Sequence, residues 1–356
     1  MKTKVYVMLF FLAGLGLLLS GCASDLVAGT WPGVSADEAR AYVAAGSFVY
    51  AVDLQTGQEV WRFPEKASTA NPFYATPALT PDGEQLIVAG FNHILYSLDP
   101  VDGTINWEFN RSHDRYYAAP LIADELIYAA SADYNLYAVT FDGDLAWQFS
   151  ASQAIWSTPV SDGARLYFGA LDRTVYALDA RRGSLVWKQT LDSAILASPA
   201  LGAEGQLYVA SMGGRVYAFD SESGAALWPQ PFQAEGQVWA APFFLEGRLY
   251  VADVDGVIYT LDPATGRESQ PRLHAGGTIV SAPRRFEQTL IFGTEDGALF
   301  LLTLPDEVQT FEVDGRLYGT PALVGETVLV APYQADSPLI AVTLQGARRW
   351  SFTPER

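Results

Sequence analysis

The sequence predicts an all-β protein, an eight-bladed β-propeller of four-stranded antiparallel blades. Three observations carry this reading. A short apolar motif recurs eight times with a period near 40 residues. A proline marker keeps the same period. The 31 glycines and 20 prolines are spread along the chain, which suits short strands and many turns rather than long helices.

The motif has the form Val49-Tyr50-Ala51-Val52-Asp53. It returns at Leu95–Asp99, Leu136–Thr140, Val175–Asp179, Val216–Asp220, Ile258–Asp262, Leu299–Thr303 and Leu339–Thr343. Successive Asp or Thr positions lie 46, 41, 39, 41, 42, 41 and 40 residues apart. That length holds four short strands and their turns, one propeller blade.

Pro32, Pro77, Pro120, Pro159, Pro199, Pro242, Pro283 and Pro321 each open a short strand, a position where a missing N–H is tolerated. From Pro77 onward the two preceding residues are small, as in Ala75-Thr76 and Gly319-Thr320. Small side chains fit an innermost strand, where blades converge on the axis.

One unit shows the anatomy. Thr76–Thr80 is strand A, Gln85–Ala89 strand B, His93–Leu98 strand C and Thr104–Phe109 strand D. Turns at Phe91-Asn92 and Asp102-Gly103 separate them, with Asx and Gly tolerating the positive φ of tight hairpins. Trp31–Val43 aligns with Thr76–Val88 at a constant offset of 45, and the last unit reaches Phe352, so all eight units are complete. Closure by strand exchange is compatible with this count but not required by it.

After each Asp or Thr comes a turn and then a large aromatic. Gly57 leads to Trp61, Gly103 to Trp107, Gly143 to Trp147, Gly183 to Trp187, Gly224 to Trp228 and Gly346 to Trp350. This Ala-x-Asp-x-x-x-Gly-x-x-x-Trp pattern resembles the tryptophan-docking motif of quinoprotein (PQQ) dehydrogenase propellers. The resemblance covers residues 31–352 and implies that these six tryptophans pack against neighbouring blades. Two units depart from it. Unit six has Gln270 where Trp is expected; unit seven has Glu307 in place of Gly and Phe311 in place of Trp. Docking is expected to be weaker there.

The first 22 residues differ from the rest. Lys2 and Lys4 precede an apolar run from Val5 to Leu19, shorter than a spanning helix requires. The layout is that of a secretory signal, and Leu19-Ser20-Gly21-Cys22 resembles a bacterial lipobox. The expected organisation is a lipoprotein signal peptide at 1–21, a lipidated N-terminus with a short linker at 22–30, and the propeller at 31–356. Cys22 would be the lipidation site and the membrane tether of an exported protein on the extracytoplasmic side. It is the chain's only cysteine, so an intramolecular disulfide is impossible.

Without Lys2 and Lys4 the chain keeps 20 basic residues against 40 acidic ones. That argues against nucleic acid and against electrostatic adhesion to anionic lipid, both of which need basic side chains. Basic patches on protein partners are favoured instead.

The enzyme reading lacks parts. Alcohol-oxidising quinoproteins are longer, often use a disulfide of adjacent cysteines beside the quinone, and bind calcium. Asp253-x-Asp255-Gly256 hints at a calcium loop, but its twelfth position is Ala264 rather than Glu. It reads better as a B–C turn. His93, His113 and His274 lack metal spacing. His113-Asp114, between Arg111 and Arg115, reads as a solvated loop. No catalytic residue, metal site or cofactor is assigned.

One constellation points to binding. Three residues before the strand A prolines stand Tyr74, Tyr117, Trp156, Leu196, Trp239, Val280 and Tyr318. Equivalent positions in a propeller form a ring at one mouth of the central channel, and Arg115 and Arg316 would flank it. The aromatics among them either plug the channel or bind a ligand.

Two functions follow. A short quinoprotein-like propeller behind a lipobox resembles the BamB-type lipoproteins of outer-membrane β-barrel assembly. That resemblance implies a non-enzymatic, lipid-anchored, monomeric scaffold with envelope-protein partners. The alternative is an enzyme or sensor holding PQQ with calcium, or a sugar-like ligand, at the aromatic mouth.

Overall fold

The computed structural model describes residues 32–67, 72–304 and 307–355; Cys22 and Trp31 lie outside them. Every strand in these residues belongs to one of eight four-stranded antiparallel sheets, each drawn from one consecutive stretch. The sheets span 33–63, 78–109, 121–150, 160–190, 200–233, 243–274, 284–312 and 322–352. We number them blades 1 to 8. In blade 4, strand A is Val160–Ser161, B is Arg165–Gly169, C is Thr174–Asp179 and D is Leu185–Thr190. Strands A of neighbouring blades approach one another, and Gly33–Ala36 lies near both Ala78–Leu79 and Ala322–Val324, so the ring closes. The expected eight-bladed propeller is the observed fold.

Strands B and C are covered on both faces by adjacent blades. They therefore read as near-continuous apolar runs, such as the buried Leu166-Tyr167-Phe168 and Val175–Leu178. Strand D shows the opposite pattern: of Leu185–Thr190 only Trp187 is buried. The core is distributed rather than central. Eight hydrophobic clusters occur, one at each blade interface.

Closure uses no strand exchange. Blade 8 is built wholly from 322–352 and blade 1 from 33–63. Their seam is sealed by Val34, Val43 and Tyr50 against Leu329, Leu339 and Phe352.

All six predicted docking tryptophans dock on the next blade. Each indole lies against that blade's turn glycine, and each Nε1–H donates to a carbonyl of the same turn. The pairs are Trp61 to Pro100 (3.1 Å), Trp107 to Phe141 (2.8 Å), Trp147 to Ala180 (3.1 Å), Trp187 to Ser221 (2.9 Å), Trp228 to Pro263 (2.9 Å) and Trp350 to Leu54 (2.9 Å). Gly183 illustrates the constraint: its φ is 67°, and a Cβ there would run into the Trp147 ring. In four blades a strand B tyrosine hydroxyl lies within hydrogen-bond distance of the carbonyl that the tryptophan uses, although in blades 1 and 4 its nearer acceptor is a carboxylate, Asp37 (2.7 Å) or Asp162 (2.7 Å). Tyr42 reaches Pro100 (3.4 Å), Tyr128 Ala180 (3.1 Å), Tyr167 Ser221 (3.0 Å) and Tyr208 Pro263 (3.3 Å). Burial, foremost, pushes the Tyr128, Tyr167 and Tyr208 phenols up to about 12, so they remain donors at any physiological pH. In blade 2, where Ile87 replaces the tyrosine, Gln85 Nε2 takes over the bond to Phe141 (3.1 Å).

The blade 6–7 interface lacks this arrangement. Gln270 offers no indole and blade 7 no turn glycine, and among the described residues the buried Tyr250 hydroxyl bonds no carbonyl of blade 7. Leu273 and Leu304 pack there instead.

Two readings from the sequence need correction. Strand pairing sets Gln309, not Phe311, opposite Leu301, the position facing Trp in other blades. The cause is the absence in blade 7 of the strand D bulge found in blades 1–4 and 8. Phe311 nonetheless reaches forward, and its ring covers Gly346. Second, the constant offset of 45 fails at strand A of blade 1. Ser35 faces Tyr42 just as Ala78 faces Ile87, so Pro32 precedes the position that Pro77 occupies by two residues. A tighter A–B hairpin in blade 1 accounts for the slip.

Trp187→Ala should lower unfolding stability by about 3–5 kcal/mol through loss of packing. Tyr128→Phe should lower it by only about 1 kcal/mol, because Ala180 keeps the Trp147 indole donor. Chemical denaturation of the two variants checks both values.

Candidate functional site: the aromatic mouth

In an A-B-C-D meander the B–C turns and the D–A linkers lie at the same end of every blade. That end carries the predicted aromatic ring. Tyr74 meets Phe91 edge-on (centroids 5.3 Å apart), Phe91 meets Tyr117 (5.0 Å), and Tyr117 leans on Trp156 (4.7 Å). Tyr318 contacts Tyr333 (6.0 Å), whose hydroxyl is within electrostatic reach of Tyr74. The structure thus assembles Tyr74, Tyr117 and Trp156 into one arc and pairs Tyr318 with Tyr333. Trp239 stands apart: its Nε1–H donates to Gln237 (3.0 Å), and it makes no ring contact with the arc among the described residues. Leu196 and Val280 fill the equivalent positions of blades 5 and 7 without a ring.

Phe91 and Tyr333 were missed in the sequence. Both come from B–C turns, whose side chains do not repeat from blade to blade. The only signal was an aromatic opening a turn, as in Phe91-Asn92.

The flanking arginines take defined positions. Arg115 lies 5.7 Å from the Phe91 ring centre, and its Nη1 is 3.5 Å from the Tyr117 hydroxyl. Arg316 bonds the Tyr318 hydroxyl (3.3 Å) and Glu295 (3.2 Å). Tyr318 also donates to Glu295 (2.8 Å) and is buried, so this residue is largely committed to the fold. Trp156 differs: its Nε1–H is buried and, among the described residues, has no hydrogen-bond partner.

Acidic B–C turns hold the linkers that carry the arc. Asp133 accepts the Tyr137 hydroxyl (2.6 Å) and the His113 N–H (2.9 Å), fixing the 111–117 linker. Asp172 accepts Tyr176 (2.6 Å) and the Ser152 N–H (3.0 Å). Asp253 is fully buried and accepts Tyr259 (2.9 Å) and the N–H groups of Gly236, Asp255 and Val257. The Asp253-x-Asp255 segment is thus a B–C turn with its carboxylate oriented by the protein. His113 is exposed and engages Asp133 through its backbone, not Asp114 through its ring. Among the described residues no group of three or more His, Cys, Asp or Glu could hold a metal ion.

The comparison with known proteins bears on the whole ring. Residues 45–169 and 171–351 match the family described as outer membrane protein assembly factor BamB. The chain belongs to this family. A BamB from Yersinia pestis is 28% identical over 178 residues, covering 45% of this chain and 44% of its own length. A BamB from Marinobacter adhaerens is 48% identical over 54 residues, covering 15% and 14%. These alignments span less than half the length of either relative. Among solved structures, BamB from Moraxella catarrhalis superposes with a TM-score of 0.70 at 16% identity, over 86% of this chain and 92% of that one. The computationally designed Ika8 protein gives 0.76 at 13% identity, over 89% and 97%. At such identities both show the fold alone.

Burial works against ionisation of Asp133, but hydrogen bonds from Tyr137, His113 and Asn135 prevail and hold its carboxyl below the ordinary carboxylate range. The stability this contributes is full above about pH 4, the unfolded value, and is lost as pH falls through the lower folded value. Asp133→Asn should therefore melt below wild type at neutral pH. The gap should narrow as pH falls below about 4, which thermal melts of both proteins across that range would measure.

Proposed function

We propose that this chain is an exported, lipid-anchored scaffold in outer-membrane protein assembly, tethered through Cys22 and acting by protein contacts. The observation that carries the reading is the family match along nearly the whole propeller. The signal-like N-terminus supports export, and the ring of loops around one mouth supports a role in recognition. The net charge of −18 favours basic partner surfaces and association that weakens with salt.

Two experiments test it. Crosslinking and pull-down from native membranes should recover envelope proteins of the β-barrel assembly apparatus; recovery of none above background would overturn the scaffold role. Cys22→Ala should move the protein from the membrane to the soluble extracytoplasmic fraction with its melting temperature unchanged. Continued membrane association would overturn the anchor.

A second reading has one specific observation in its favour. The partnerless Trp156 indole N–H, beside the Tyr74–Phe91–Tyr117 stack, is a donor available to a small ligand. Titration with pyrroloquinoline quinone and calcium, or with simple sugars, would raise the melting temperature on this reading. No shift at saturating ligand rejects it.

A further inference from the structure

The outer rim of blades 4 and 5 combines three features outside the aromatic mouth. The first is a basic island on an acidic protein. From Ala180 to Leu191 there is no acidic residue, while Arg181, Arg182 and Lys188 are exposed. Among the described residues none of these three side chains makes an ion pair. Arg62 and Arg348, on strands D of blades 1 and 8, are paired with Glu59 and Asp314, whereas Arg349 beside Arg348 is, like these three, exposed and in no ion pair among the described residues.

The second feature is exposed apolar surface. Leu185 and Val186 on strand D of blade 4, and Leu227 on the outer segment of blade 5, are 45%, 46% and 43% exposed.

The third is a cleft of about 230 Å³ between the two blades, lined by Leu191, Tyr217, Phe219, Trp228, Pro229 and Pro231. It exists because strand D of blade 5 is interrupted. The Leu227 N–H still donates to Ala218, and Phe232 faces Val216, but the chain between them loops outward through two prolines. Neither proline has an N–H to continue the ladder.

We propose that this rim binds an acidic, extended segment of a partner protein. The segment lies along Leu185–Thr190, a free sheet edge about 20 Å long. Its carboxylates meet Arg181, Arg182 and Lys188, and one of its apolar side chains enters the cleft. The unpaired backbone groups of the edge supply hydrogen bonds. The acidic remainder of the surface repels such a segment elsewhere, which confines it to this edge. The proposal rests on the scaffold reading and names one of its contact surfaces.

The test uses the full chain and a synthetic heptapeptide of alternating glutamate and apolar residues, with a lysine-for-glutamate peptide as control. Amide hydrogen exchange is followed at residues 185–190, together with fluorescence from Trp228. The glutamate peptide should slow exchange at the outward amides of the edge and shift the fluorescence; the lysine peptide should do neither. The triple charge reversal R181E/R182E/K188E should lose the protection. So should Ala226→Trp, which fills the cleft from an exposed position. Both variants should melt as wild type does. Absence of protection in the wild type, protection elsewhere only, or protection unchanged in both variants overturns the proposal. Membrane pull-downs separate this from the underlying reading. If both variants recover the wild-type set of envelope proteins, the scaffold stands and the rim site falls; if the wild type recovers none, the scaffold itself falls.

Discussion

The fold depends on one small arrangement: two side chains of one blade donating to a single backbone carbonyl of the next. A strand D tryptophan and a strand B tyrosine converge on that oxygen, as Trp147 and Tyr128 do on Ala180. The glycine of the same turn lets the indole lie flat on the backbone. A propeller has no central core, so blades must be registered pairwise. Apolar packing alone is non-directional and would let sheets slide. The shared carbonyl adds direction, because an indole buries a large area and still needs an acceptor for its N–H.

The exception shows what the arrangement contributes. At the blade 6–7 interface the tryptophan and the glycine are missing together, and among the described residues the buried Tyr250 hydroxyl has no hydrogen-bond partner. At the next interface Phe311 covers Gly346 from a different register position, so apolar contact is kept while the hydrogen bond is not. The blade 6–7 interface is thus held without an indole bond, by apolar packing that includes Leu273, Leu304, Phe292 and Phe300 and by the Arg285–Glu246 ion pair.

Much of this was legible in the sequence because tryptophan and glycine have few substitutes in these roles. Residue type and spacing alone were enough to single out Trp61 and Gly103 as parts of one repeating device. The tyrosine was not legible: the same slot holds Tyr42, Ile87, Tyr128, Ile291 and Leu329, which share bulk but not the hydroxyl. Spacing alone also misjudged Phe311 and Pro32, since a bulge or a shorter hairpin shifts register without disturbing the repeat count. At the mouth, Tyr74, Tyr117 and Trp156 stood out because the prolines fix their phase. Phe91 and Tyr333 stand on turns that carry no period. The clamps made by Asp133 and Asp172 looked in the sequence like ordinary turn residues, because their second partner lies on a linker about 20 positions away.

The seam between blades 8 and 1 is made like most of the others. Trp350 crosses it to Gly57 and Leu54, and the Arg62 side chain reaches the Glu355 carbonyl. No strand is lent across it. Topologically, then, the ring has no privileged starting point: the polypeptide could be opened at another D–A linker and rejoined at the present ends without altering any sheet. A ring with that property can grow or shrink by whole units through duplication or deletion at the level of the gene. It can also diverge one interface at a time, as blades 6 and 7 have, while the remaining contacts hold the circle.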